Sequence, residues 1–167
     1  MKPIRMFAAT GMLGYGYADE SIECALEMEL DLIAADAGSM DPGPYYLGAG
    51  QAFVSRPAAK RDLSLMMVGG AKEGIPVFIG SAGGGGGDPH VDWLMEIVRE
   101  IATENGLHPK VAVIRSEQSK DSLKAKIKAG KIAPLGPIAE LTEEEVDNSH
   151  RVVAMMGPEP FQKALED

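Results

Sequence analysis

The chain has 167 residues, of which 45% are hydrophobic and 25% are charged, and its formal net charge is −9. This length allows one domain with a hydrophobic core, and the acidic balance argues against nucleic acid or an anionic membrane as a partner, since both require clustered lysine and arginine. One cysteine, Cys24, excludes an internal disulfide, and the lack of a long apolar run or a signal peptide predicts a cytoplasmic protein.

The first half of the chain alternates short apolar runs with helical patterns. Residues 4–10 and 32–35 are predicted to be buried strands, because each is an apolar run bounded by turn residues. Helices are predicted over residues 18–29 and 57–73, where apolar side chains recur on one helical face. Between the second strand and the second helix, residues 41–48 are rich in proline and glycine and are predicted to form turns.

The rest of the chain continues this alternation. Strands are predicted over residues 76–79, 110–115 and 151–156. Helices are predicted over residues 91–105, 121–129 and from residue 159 onward. Asp88 is expected to cap the first of these helices, and Thr142 with Glu145 has the spacing of a capping box at the start of a short acidic helix.

The order of these elements predicts the fold class. The strands are apolar runs rather than alternating patterns, which is typical of a parallel sheet covered on both faces. We therefore expect residues 1–167 to form a single three-layer, doubly wound α/β domain with a mainly parallel five-stranded sheet. The last segment is an amphipathic helix without a glycine stop or a polar tail, so we expect the domain to be part of a larger protein or complex, as a homo-oligomer or with a second chain.

In a parallel sheet the turns after the strands share one edge, where ligands bind. Glycine-rich turns follow the first and third predicted strands, and polar residues follow the second. The fourth is followed by Arg115, Ser116 and Glu117, and the fifth by Gly157. We take the following as candidate ligand-binding residues: Thr10, Gly11, Gly14, Ser39, Asp41, Ser81, Gly83, Gly84, Gly85 and Asp88.

The run of five glycines over residues 83–87 is the strongest signal for a ligand at this edge. Consecutive glycines have a high ordering cost, and ahead of a helix they expose backbone N–H groups to an anion. A mobile hinge is the alternative. The turn over residues 11–16 matches neither the dinucleotide fingerprint nor a P-loop, so it is a weaker indication of a ligand.

Asp36 and His90 are the candidate catalytic residues. Asp36 ends a buried strand, where a carboxylate can act as a general base or metal ligand, or can cap the next turn through Ser39. His90 lies in the first turn of a helix, where the dipole favours the neutral imidazole and suits proton transfer; a solvent-facing histidine is the alternative. Asp36, Asp41 and His90 are the residue types of an oxygen/nitrogen metal site, but their spacing is no recognised motif, so we assign no metal. The sequence does not identify a cofactor.

Four stretches resemble the N-terminal part of the acyclic terpene utilisation (AtuA) family. They are residues 9–16 (Ala-Thr-Gly-Met-Leu-Gly-Tyr-Gly), residues 36–48 (Asp-Ala-Gly-Ser-Met-Asp-Pro-Gly-Pro-Tyr-Tyr-Leu-Gly), residues 79–84 and residues 155–161. The second stretch is the most specific. Members of this family are several times longer than this chain. The resemblance implies a role in bacterial breakdown of citronellol- and geraniol-type compounds, whose intermediates are carried as coenzyme A thioesters.

Three functions fit these observations. The chain could be the catalytic or ligand-binding part of an enzyme that acts on a small organic acid or its coenzyme A thioester, by lyase, hydratase or hydrolase chemistry. It could instead be a non-catalytic subunit that completes the site of a partner chain, or a binding module without chemistry. In the first function the glycine run holds a carboxylate or phosphate, and Asp36 and His90 handle protons.

Overall fold

The structure is a computed structural model that describes residues 3–39 and 41–166. Met40, within the family-like segment, and Asp167, in the last predicted helix, lie outside the described residues. The described part contains three strands: β1 (Met6–Ala8), β2 (Leu32–Asp36) and β3 (Val77–Gly80). Its α-helices are α1 (Asp19–Leu26), α2 (Tyr45–Ala49), α3 (Arg56–Glu73), α4 (Asp88–Glu104), α5 (Lys120–Lys128), α6 (Glu143–Asn148) and α7 (Glu159–Glu166).

The three strands form one parallel sheet in the order β1-β2-β3. The central strand pairs Ile33 with Phe7 on one side and with Val77 on the other. Because side chains alternate along a strand, these three residues face the same side of the sheet, and all three belong to the hydrophobic core. On the opposite side, Met6 is exposed and Phe78 packs against Phe161 of α7, with ring centroids 6.0 Å apart.

Helix α3 is close to its neighbours because it carries two adjacent glycines. A Cβ on Gly70 would lie 2.6 Å from Val77 Cγ2, and a Cβ on Gly69 would lie 3.1 Å from Leu26 Cδ1. The absence of both side chains lets α3 pack against β3 on one side and α1 on the other. The helix begins at Ser55, whose hydroxyl accepts the Ala58 N–H, and ends at Gly74 in the left-handed conformation.

Most of the predicted elements are confirmed as a mixed α/β fold with parallel strands. The three strands in the first half, the long helices α3 and α4 and the capping box of α6 all form. Two details are wrong. A five-residue helix, α2, lies in the stretch predicted as turns, and Gly87 rather than Asp88 is the N-cap of α4, with no side-chain cap hydrogen bond.

The five-stranded sheet is not confirmed. Residues 110–115 and 151–156 contain no regular strand, and their neighbourhood has one isolated antiparallel bridge, Glu117 with Val153. The residues just after the first segment pair with the second, since Gln118 N–H donates to Val152 O and Ala154 N–H donates to Ser116 O. An apolar run predicts an extended chain but does not specify its partner, and these runs do not join the sheet.

None of the helices in residues 3–39 and 41–166 combines the length and the hydropathy needed to cross a membrane. The surface instead carries charged networks, of which one joins α3 to α4. Glu100 accepts hydrogen bonds from Lys60 Nζ at 2.6 Å and from Arg56 Nη1 at 2.5 Å, and Lys60 also reaches Glu104 at 2.7 Å.

Because of this network, we expect the stability of the fold to decrease at acid pH, where Glu100 becomes protonated. The hydrogen bond from Lys60, followed by that from Arg56, holds the pKa of Glu100 below its usual value of 4.5. A carboxylate with a lowered pKa stabilises the fold above the unfolded-state value, and this contribution is lost as pH falls through the folded-state value. As the pH is lowered below about 5, we expect the melting temperature of Glu100→Gln to fall less than that of the wild type.

Glu96→Gln, one helical turn away, is the control, and its melting temperature should depend on pH as that of the wild type does. The same pH dependence in Glu100→Gln as in the wild type would contradict the prediction.

Candidate functional site

The glycine turn after β1 binds a carboxylate of the chain itself. Asp62, which is fully buried in α3, accepts the N–H groups of Gly14 and Gly16 on Oδ2, both at 2.9 Å. Gly14 has a φ of +101°, and a Cβ there would lie 2.8 Å from Val54. The backbone N–H of Gly14 is therefore engaged by Asp62, and the glycine is required for close packing.

Arg61 neutralises the acidic side chains around this turn. Its Nη1 donates to Asp62 Oδ1 at 2.9 Å and to Tyr17 O at 2.6 Å, its Nη2 pairs with Asp19, and its guanidinium lies 5.4 Å from the Tyr17 ring centroid. Burial, followed by the negative charge of Asp62, raises the pKa of the Tyr17 phenol. A shallow, open depression of about 390 Å³ lies beside these residues, and one of about 400 Å³ lies along α3. The N–H groups of Gly14, Gly16 and the Arg61 guanidinium that are described above all donate to acceptors within the chain.

The three turns that follow the strands meet at one edge, as the sequence predicts for a parallel sheet. Leu13 N–H donates to Asp36 O at 2.7 Å, and Ala37 N–H donates to Gly80 O at 2.9 Å. The third turn also packs closely on the second, because a Cβ on Gly38 would lie 2.6 Å from that of Ser81. Ser81 is a non-glycine residue with a positive φ, +47°, which is uncommon and raises the local backbone energy.

Asp36 is exposed at this edge, at the end of β2. Its Oδ1 accepts the Gly38 N–H at 2.8 Å, which is the local turn that aspartate forms with the residue two positions on. Ser39 and Asp41 bind each other: the Ser39 hydroxyl donates to Asp41 Oδ2 at 3.1 Å and accepts the Asp41 N–H at 3.3 Å. The turn at Asp36 is therefore closed through Gly38, and not through Ser39.

Two further predicted ligand residues lie in the first turn. The Thr10 hydroxyl donates to Met12 O at 3.1 Å, and Gly11 is exposed, with open space where a Cβ would be. The described residues contain no group of three or more histidine, cysteine, aspartate or glutamate side chains placed to hold a metal ion.

The glycine run has structural reasons for its composition. Gly83, Gly84 and Gly86 have positive φ values of 66°, 105° and 68°. A Cβ on Gly83 would lie 2.7 Å from His90 Cβ, and one on Gly85 would lie 3.3 Å from Leu47 of α2. The run is thus packed between α2 and the first turn of α4. Gly84→Ala would be strained by the backbone angle alone, so a loss of ligand binding in that variant could not be distinguished from a loss of stability.

His90 is the predicted catalytic residue with the most distinctive surroundings. It is 1% exposed, and its Nε2 lies 3.0 Å from Gln51 O. A carbonyl only accepts hydrogen bonds, so Nε2 carries the proton, and in the neutral imidazole Nδ1 then has a free lone pair. Nδ1 is buried without a hydrogen-bond partner, 3.2 Å from the place that a Cβ of Gly87 would occupy.

Three buried side-chain polar atoms in residues 3–39 and 41–166 lack a hydrogen-bond partner; two belong to the first turn of α4, and the third belongs to Arg151, which packs on the N-cap of that helix. They are His90 Nδ1, Asp88 Oδ1 and Arg151 Nε. Asp88 Oδ1 is compensated by an ion pair, since it lies 3.0 Å from Arg115 Nη1, so the atoms that point to a missing partner are His90 Nδ1 and Arg151 Nε. Arg151 packs on Gly87, with Cδ 3.4 Å from the same Cβ position. Such atoms each cost about 1–3 kcal/mol when left without a partner, so their clustering indicates a place for a polar group.

Glu117 accepts a backbone N–H at the start of α4, just as Asp62 accepts backbone N–H groups in the first glycine turn. Its Oε2 accepts the Asp88 N–H at 2.7 Å, and its Oε1 lies 3.2 Å from Arg151 Nη1. An anion is favoured at a helix N-terminus by the exposed N–H groups and the helix dipole. Carboxylates of this chain thus accept two N–H groups of the first glycine turn and the Asp88 N–H that directly follows the glycine run.

The sequence placed the glycine turns, Asp36, Asp88, His90 and Glu117 among the candidates, and it missed Asp62, Arg151 and Gln51. Asp62 lies within a predicted helix, and in a helical sequence pattern a buried aspartate cannot be distinguished from one that faces solvent. Arg151 was assigned to the start of a strand. No family model, no curated protein and no solved structure matches the chain.

Proposed function

We propose that this chain is part of an enzyme that acts on a small organic acid or its coenzyme A thioester, with its site at the start of α4. The observation that carries this proposal is the convergence there of a buried histidine lone pair and a buried arginine N–H, both without partners. A carboxylate fits the arginine, since a guanidinium binds it through charge-assisted hydrogen bonds. A proton on the same ligand fits His90 Nδ1.

This arrangement suits proton-transfer chemistry. With Nε2–H held by Gln51 O, His90 can accept a proton at Nδ1 from a substrate carbon or from water. Arg151 would hold the carboxylate that orients the substrate. Asp36, exposed at the edge of the sheet, is our candidate for a second proton-handling group. Lyase, hydratase and hydrolase reactions all use such a base.

The resemblance to the acyclic terpene utilisation family supports the same substrate class. The most specific family-like segment, residues 36–48, includes Leu47, which packs against Gly85 and Gly87 beside His90. We therefore propose a link to catabolism of acyclic terpenes or related acids, in the cytoplasm.

Ligand binding tests the proposal. We expect calorimetry with a panel of short carboxylic acids and their coenzyme A thioesters to detect binding, and Arg151→Gln to abolish it. Arg99→Gln, an exposed position on α4, removes the same charge and should bind as the wild type does. If Arg151→Gln is unstable, Arg151→Lys can replace it in this test, because lysine keeps the charge but loses the guanidinium hydrogen bonds, and we expect it to bind more weakly than the wild type. No binding by the wild type, or equal binding by Arg151→Gln, would contradict the proposal.

A second function is favoured by apolar residues that remain exposed. Val111, Val113 and Met155 are all exposed, in the two segments predicted as strands four and five. Parallel sheets are normally covered on both faces. We propose, as the alternative, a non-catalytic subunit in which these segments complete a five-stranded sheet and a partner's site. Analytical ultracentrifugation that finds a strict monomer at high concentration, alone and with candidate partner chains, would count against it.

A further inference from the structure

Glu117 holds the position that a bound anion would take at the start of α4. One of its carboxylate oxygens accepts the Asp88 N–H and the other pairs with Arg151. Nearby, the carboxylates of Asp88 and Asp92 both pair with Arg115, so Arg115 is engaged by other acidic side chains. Removing the Glu117 carboxylate would leave the helix N-terminus and the Arg151 guanidinium without an anion.

A second observation at this position points to a ligand. His90, which is 1% exposed, directs its unpartnered Nδ1 toward Gly87, the N-cap of α4. No described residue donates a hydrogen bond to this atom, and in the tautomer set by Gln51 O it is an acceptor. A group that filled the site completely would carry a carboxylate for Arg151 and the Asp88 N–H, and a hydrogen-bond donor for His90.

The two internal carboxylates differ in how firmly they are held. The Asp62 side chain is 1% exposed and is carried by the 18-residue helix α3. The Glu117 side chain is 20% exposed, and its segment is joined to residues 152–154 by one isolated bridge. The Glu117 side chain can turn toward solvent while its backbone stays in place, whereas Asp62 cannot leave without opening the core.

We propose, on the basis of the function proposed above, that Glu117 is a replaceable internal stand-in for the carboxylate of a hydroxy acid. The ligand carboxylate displaces Glu117 from the Asp88 N–H and from Arg151, and the ligand hydroxyl donates to His90 Nδ1. Two carboxylates cannot share this position, because like charges repel at such distances. Glu117 therefore competes with the ligand and weakens its binding.

Calorimetry with 3-hydroxybutyrate, butyrate and inorganic phosphate tests this competition. Glu117→Gln removes the charge and keeps the shape, and we expect it to bind 3-hydroxybutyrate about tenfold more tightly than the wild type, the equivalent of one charge-assisted hydrogen bond. Glu104→Gln, at the opposite end of α4, removes the same charge and should leave the affinity unchanged. Butyrate should bind more weakly than 3-hydroxybutyrate, because it lacks the hydroxyl that faces His90.

Each outcome supports or overturns the proposal. Equal or weaker binding of 3-hydroxybutyrate by Glu117→Gln overturns it and leaves the proposed function standing, provided that the wild type binds the acid. A preference for phosphate overturns the ligand class. No binding of any carboxylate or thioester by either variant overturns both proposals. Glu117→Asp, whose shorter side chain withdraws from Asp88, gives the same test if the glutamine variant does not fold.

Discussion

Replacing Asp62 with alanine is expected to lower the free energy of unfolding by about 3 kcal/mol. The fully buried carboxylate accepts the N–H groups of Gly14 and Gly16 and pairs with Arg61. Without it, two backbone donors in the turn after β1 lose their acceptor, and Arg61 loses its buried partner. The loss should appear as a lower urea midpoint, with little change in the slope of the transition.

Two variants separate the buried carboxylate from its exposed neighbour. Asp19→Ala removes the other acidic partner of Arg61, which is exposed, and should cost less than about 1 kcal/mol. Asp62→Asn keeps one acceptor oxygen but turns a donor toward the site, so its loss should lie between the other two. An Asp62→Ala protein as stable as Asp19→Ala would show that the turn does not depend on this carboxylate.

Replacing His90 with glutamine is expected to lower turnover by roughly 10²-fold or more, the usual scale for loss of a general base. The glutamine amide can still donate to Gln51 O in place of Nε2, but it has no lone pair at the position of Nδ1. Folding should therefore be nearly preserved while proton transfer is lost. The measurement is kcat with a coenzyme A thioester or hydroxy acid that the wild type converts, in the assembly that is active.

His108→Gln is the matched control, since His108 is exposed beyond the far end of α4 and should keep wild-type kcat. The melting temperature of His90→Gln reports separately on the structural role of the buried ring. If this variant turns over normally, His90 is not the base. If it unfolds while His90→Asn folds, the Nε2 hydrogen bond to Gln51 O is not what holds the fold, because asparagine lacks that donor, and the kcat of the folded His90→Asn protein then tests the base assignment.

The sequence by itself determined the features that are local in origin. Apolar runs and helical periodicity predict β1 to β3, α3 and α4, because burial of one face sets each pattern within a few residues. The capping box of α6 was readable for the same reason, since Thr142 and Glu145 are three residues apart. Because parallel strands place their ends together, the convergence of the glycine turns, Asp36 and Ser81 at one edge also followed from the order of elements.

Only the tertiary structure decided what occupies those turns. Asp62 lies 48 and 46 residues from the glycines that it binds, and Glu117 lies 29 residues from Asp88. No local pattern separates such a carboxylate from one that faces water. The segments at 110–115 and 151–156 show the same limit, because an apolar run predicts burial or pairing without naming its partner. Partner choice depends on contacts between distant parts of the chain, and those contacts exist only once the chain has folded.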